Sequence, residues 1–128
     1  MSEPEPFSWA ARARSFGYAL RGVVTLLATQ HNAWIHAAAT VVVVALGVAL
    51  GVSRLEWALL IFAIALVWTA EGFNTALEWL CDVAAPEYHP LVKKAKDVAA
   101  AAVLLAAIGS ALIGLLVFGP RLLVLLGC

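Results

Sequence analysis

Hydrophobic positions along this chain fall into four blocks, and each block predicts a helix. Between about residues 7 and 28, Phe16, Leu20, Val23 and Leu27 recur at steps of four, three and four, forming one apolar stripe. Arg14, Tyr18, Arg21 and Thr25 follow the same spacing on another face. This is an amphipathic helix. With cationic and apolar faces beside a membrane, such a helix usually lies in the interface; the plainer alternative is a cytosolic helix packed on its own chain. No formal charge occurs from Gly22 to Ser53. The core of that run, Ala33 to Val52, has about 20 residues, enough to cross roughly 30 Å of hydrocarbon. It predicts a first span over about 31–51, with Gly51, Ser53 and Arg54 marking a tight turn.

The third block, Trp57 to Ala70, is apolar but too short to span before Glu71 interrupts it. The helix must therefore continue through Glu71, Asn74 and Glu78, giving a second span over about 55–82. Its polar end sits at or just inside one membrane face. Pro86 and Pro90 then break the chain. The fourth block is uncharged from Val98 to Pro120 and predicts a third span over about 91–118. Residues 121–128 read as a short apolar tail that cannot cross.

Composition makes lipid the solvent. The chain has 128 residues, 64% hydrophobic and 12% charged, against roughly 25% charged in soluble domains. A soluble core of this size cannot hide that much apolar surface. The expected fold is an all-α membrane protein, with an N-terminal amphipathic surface helix and three transmembrane helices in one domain over 7–120. Residues 1–6, acidic and proline-rich, are expected to be disordered. No signal peptide is read there, because Arg12 and Arg14 are not followed at once by an apolar stretch. The formal net charge is zero, which gives no basic field for nucleic acid. Cys81 and Cys128 lie far apart and show no zinc spacing.

Charge then orients the bundle. Arg12, Arg14, Arg21, Lys93, Lys94 and Lys96 fall on one side of three spans, and Arg54 and Arg121 on the other. The positive-inside rule puts the N-terminus and the 82–97 loop in the cytoplasm. Small residues, including a GxxxG at Gly47 and Gly51, allow close helix approach. Three thin helices enclose a site poorly, which argues for a homo-oligomer.

The chemistry sits on the second span. At 100° per residue, Glu71, Asn74, Glu78 and Asp82 fall within about 80° of one another, on a stripe about 16 Å long. Ionisable groups inside a span usually mark function. Like charges this close repel unless a cation is present, and hard oxygens suit Mg²⁺. Solvation or pairing with Lys93, Lys94 or Lys96 is the plainer explanation, strongest for Asp82. Lys96 and Asp97 open the third span on the same side, where a lysine can neutralise phosphate. Snorkelling and a helix-dipole acid are their plainer roles. His89 reads as a loop residue, and His31 and His36 as hydrogen-bonded polar residues. No Gly-Lys pair and no G-x-G-x-x-G occurs, so a nucleotide would need an unconventional site. A Gly-x-Ser-x-Gly elbow is missing too.

The sequence from Glu71-Gly-Phe-Asn74-Thr-Ala-Leu-Glu78 through Asp82, Pro-Glu-Tyr-His89-Pro and Lys-Lys-Ala-Lys96-Asp97-Val-Ala-Ala resembles the prokaryotic diacylglycerol kinase / undecaprenol kinase family. The resemblance covers about residues 12–118. It implies a homotrimer in the bacterial inner membrane that transfers the ATP γ-phosphate to a lipid hydroxyl with Mg²⁺, at sites formed between neighbouring subunits. By motif, Glu71 looks like the catalytic base and Glu78 like a metal ligand. Asn74, Lys96 and Asp97 resemble the groups that hold phosphate and nucleotide. Asp82, His89 and Arg14 stand at substrate- or nucleotide-binding positions of less defined role. Where the family commonly has a second metal-binding glutamate, this chain has Gln30, which brings an amide oxygen without charge. The wording of the 86–97 stretch is closer to undecaprenol kinases than to diacylglycerol kinases. Rival readings are a proton or cation carrier subunit and a non-catalytic membrane scaffold. A carrier needs polar groups through the midplane, and Trp57 to Ala70 offers only Thr69.

Overall fold

A computed structural model describes residues 6–128. The stretch expected to be disordered lies, apart from Pro6, outside the described residues. Among the described residues there are four helices and no strand: α1 (Trp9–Thr29), α2 (His31–Leu50), α3 (Arg54–Ala84) and α4 (Pro90–Leu125). The last three are long and apolar enough to cross a membrane. The accessible surface is 9633 Å², whereas a compact soluble monomer of 13.5 kDa exposes about 6,500 Å². The excess is carried by leucines, valines, isoleucines and phenylalanines that face outward along the spans. They belong against lipid or other protein.

Local chemistry sets each helix end. Ser8 caps α1, its Oγ accepting from the Ala11 N–H at 3.3 Å. Gln30 is extended (φ −112°, ψ 117°) and is both the last cap of α1 and the first of α2. The bend is pinned by the Trp34 indole, whose Nε1 donates to the Leu27 carbonyl at 2.6 Å. Gly51 closes α2 in the left-handed conformation (φ 60°), where L side chains are strained. A reciprocal capping box starts α3: the Ser53 N–H donates to Glu56 Oε2 at 2.7 Å, and the Glu56 N–H to Ser53 Oγ at 3.2 Å.

α3 and α4 form an antiparallel hairpin, and α2 packs against it, with a hydrophobic cluster at one end. There Val52, Leu60, Val117 and Phe118 make the buried cluster, with Leu46, Leu50 and Trp57 packed on it. Arg121 Nη1 donates to Glu56 Oε1 at 2.6 Å, tying the end of α4 to the start of α3. Ser110 Oγ donates to the Ala63 carbonyl at 3.0 Å, joining the same pair further along. The GxxxG has an internal use. Gly47 is buried under the Trp57 ring, and a Cβ there would lie 2.5 Å from Trp57 Cη2.

The stretch after Pro120, expected as a tail, is helical to Leu125. Proline removes one hydrogen bond and clashes least with a preceding residue that lacks a Cβ, and Gly119 precedes it. In an apolar solvent, leaving the helix would strand more backbone groups than continuing it.

Candidate active site

At 1.5 Å per residue, α3 is about 46 Å long and α4 about 54 Å, so both outrun a hydrocarbon core of roughly 30 Å. The core cluster occupies the end where α3 begins. The acidic stripe occupies the other, where α3 finishes and α4 starts.

The stripe does not act as one unit, because its members turn to different partners. Glu71 is 1% exposed and reaches α2, its Oε2 lying 3.3 Å from His36 Nε2. Its Oε1 accepts from Thr75 Oγ1 at 3.4 Å. Asn74 is buried and donates through Nδ2 to Glu78 Oε1 at 3.4 Å. Its Oδ1 is buried without a partner. Asp82, exposed, accepts from the Lys96 ammonium. Asp97 is held by Lys93 at 2.6 Å, one turn earlier on α4. The adjacent Lys96 and Asp97 are thus each paired, but with different partners. Both pairs are substantially exposed and open to exchange with an incoming anion.

His89 is the N-cap of α4, its Nδ1 accepting from the Leu91 N–H at 3.2 Å ahead of Pro90 at the first turn. Arg14 is exposed on α1. Gln30, half-buried at the α1–α2 bend, donates from Nε2 to Thr29 Oγ1 at 3.2 Å. Among the described residues no hydrogen bond joins Gln30 to Glu71 or Glu78. Sequence reasoning reads His36 as a hydrogen-bonded polar residue without linking it to the site, and does not single out Thr75. The available signal was His36 and Thr40, four apart on one face of an otherwise apolar span.

Beside Glu71 runs an open groove of about 860 Å³ between α1, α2 and α3. Val23, Leu26 and Leu27 line it from α1, and Trp68, Gly72 and Thr75 from α3. Its walls are almost entirely apolar, and Gly72 and Thr75, neighbours of Glu71 on α3, are among them. Such a groove has the size and chemistry to take a hydrocarbon chain.

Among the described residues no group of three or more His, Cys, Asp or Glu side chains is gathered to hold a metal ion. The oxygens present are nonetheless of the right kind. The orphaned Asn74 Oδ1 stands beside the Glu78 carboxylate, and Mg²⁺ typically takes one or two carboxylates, substrate phosphates and water. These residues fit a Mg²⁺ that phosphates help to hold.

Residues 17–118 match the family model described as prokaryotic diacylglycerol kinase. The chain belongs to this family. An undecaprenol kinase of Bacillus subtilis (strain 168) is 39% identical over 109 residues, covering 85% of this chain and 89% of that one. A diacylglycerol kinase of Synechocystis sp. is 42% identical over 113 residues, covering 88% of this chain and 65% of that one. A diacylglycerol kinase of Helicobacter pylori (strain ATCC 700392 / 26695) is 47% identical over 51 residues, 40% of each chain. As a member of the prokaryotic diacylglycerol kinase family, this multi-pass membrane protein is a lipid kinase that uses ATP. That activity displaces the carrier and scaffold readings of the acidic stripe.

Proposed function

We propose that this kinase phosphorylates undecaprenol, with Glu71 as the general base. The observation that carries the base assignment is a carboxylate, almost wholly buried, whose α3 neighbours Trp68, Gly72 and Thr75 line an apolar groove. In this reading the lipid enters sideways from the bilayer and its hydroxyl meets Glu71. The carboxylate accepts the hydroxyl proton as the oxygen bonds to the γ-phosphorus and the bond from that phosphorus to the bridging oxygen breaks, ADP leaving with the electron pair; the base is worth about 10²–10⁴-fold. Thr75 keeps one carboxylate oxygen directed along α3. Phosphoryl transfer rewards positioning and charge stabilisation over covalent chemistry. Lys96 would exchange Asp82 for nucleotide phosphate, while Asp97, Arg14 and Asp82 complete the polar rim. His89 would act by starting α4 in the right place. Asn74 Oδ1 and Glu78, with Gln30 as a weak third donor, would hold Mg²⁺. When bound, Mg²⁺ neutralises charge on the phosphate oxygens.

The same proposal includes a homotrimer in the bacterial inner membrane, with the N-terminus and the 82–97 loop cytoplasmic. The large apolar surface of one chain and the scarcity of metal ligands within it support an assembled site. The undecaprenol assignment is supported by the Bacillus subtilis relative, which matches this chain nearly end to end. Diacylglycerol is the second acceptor to test, because the Synechocystis relative is named for it.

The test supplies radiolabelled ATP and either undecaprenol or diacylglycerol in detergent micelles. Label on undecaprenol is expected. Label on diacylglycerol alone would transfer the assignment to that lipid. Glu71→Gln is expected to abolish transfer with the oligomer intact, and substantial remaining activity would refute the base assignment.

A further inference from the structure

Glu71 has one partner on its own helix and one on another. Thr75 lies four residues along α3 and moves with Glu71, so it cannot set the carboxylate relative to α2 or the groove wall. Among the described residues, His36 is the partner that crosses to α2, through Nε2 and Glu71 Oε2 at 3.3 Å. We propose that His36 is a positioning residue for Glu71, orienting the carboxylate toward the lipid hydroxyl through this contact.

The imidazole is itself held in place. Its ring lies edge-on to Trp68, with centroids 6.2 Å apart. Trp68 Nε1 donates to Thr40 Oγ1 at 3.0 Å, and Thr40 Oγ1 donates to the His36 carbonyl at 2.7 Å. Trp68 and Glu71 are three apart on α3, and His36 and Thr40 four apart on α2. His36, Trp68 and Thr40 therefore close a ring of contacts between facing helix turns, its last link made through the His36 carbonyl, and Glu71 joins it through His36.

This ring stands between two voids. The 860 Å³ groove touches Thr40 and Trp68 on one side. A cavity of about 290 Å³ touches His36, Thr40 and Trp68 on the other. With open space on both sides of Thr40 and Trp68, the seating of α2 against α3 at this level rests on these polar contacts more than it would in a filled core. Sequence spacing alone marks His36 as a hydrogen-bonded polar residue but does not name its partner, which is 35 residues away.

The inference rests on Glu71 being the base, and the experiment separates the two. Initial rates are measured for the purified full chain in micelles, varying ATP and undecaprenol, for His36→Ala, His36→Gln and Glu71→Gln. Loss of an orienting partner lowers kcat for His36→Ala about 10–100-fold, with both KM values within about threefold. His36→Gln, whose amide N–H can reach the same oxygen, restores most of that loss. Full kcat in His36→Ala beside an inactive Glu71→Gln would overturn the positioning role alone. Equal losses in the Ala and Gln variants, or a loss carried by KM, would also overturn it. An active Glu71→Gln would overturn the base assignment and this inference together.

Discussion

Gly47→Ala tests whether α2 and α3 meet as closely as their geometry states. The added Cβ would sit 2.5 Å from Trp57 Cη2 and 2.8 Å from Cζ2. Carbons in contact rest at about 3.5–4.0 Å, so ring or helix must withdraw by about 1 Å. Overpacking of this kind costs about 1–3 kcal/mol, while replacing glycine in a helix returns up to about 1 kcal/mol. The net expectation is a loss of about 1 kcal/mol. In a Trp57→Ala background the clash disappears, and Gly47→Ala should become neutral or stabilising. The sign change isolates the contact from helix propensity, as a double-mutant cycle requires. Unfolding followed by circular dichroism in mixed SDS and mild-detergent micelles reads both stabilities. Kinase activity serves as a second channel. Trp57 lies fourteen positions before Glu71 on α3, about 21 Å away, so kcat below the unfolding transition should be unchanged. If Gly47→Ala stabilises the protein equally with and without Trp57, the close approach is refuted.

Two further outcomes follow from the polar end. Gln30→Glu should lower the Mg²⁺ concentration needed for half-maximal activity several-fold, since a carboxylate adds charge to a hard-oxygen set. An unchanged Mg²⁺ titration would remove position 30 from the metal's surroundings. His89→Ala should lower stability by about 1 kcal/mol through loss of the α4 cap, and His89→Asn should recover it. Full stability but lost kinase activity in His89→Asn would instead assign His89 to nucleotide contact.

Most of the helical architecture is legible along the chain because lipid imposes simple arithmetic. Uncharged runs of spanning length locate α2 and α4, and the shortfall before Glu71 forces α3 to carry its carboxylates inward. The same arithmetic misplaces the last helix end. Residues 121–125, read as part of a tail, continue α4 past Pro120, because an apolar solvent makes an unfinished backbone worse than one missing hydrogen bond. GxxxG correctly indicates close approach, yet leaves open what approaches. Trp57 of the same chain covers Gly47, while Gly51 ends the helix.

The acidic stripe draws the same boundary. Period and residue type alone put Glu71, Asn74, Glu78 and Asp82 on one helical face near one end of the bundle, because 3.6 residues per turn is a property of the backbone. The tertiary structure decides which partner each side chain has. Glu71 meets His36 from α2, Asn74 and Glu78 meet each other, and Asp82 meets Lys96 from α4. Helical phase carries no information about pairings between residues far apart in sequence. They depend on how α2 and α4 seat against α3, which is decided by side-chain packing between helices, including the cluster of Leu60, Val117 and Phe118 at the other end.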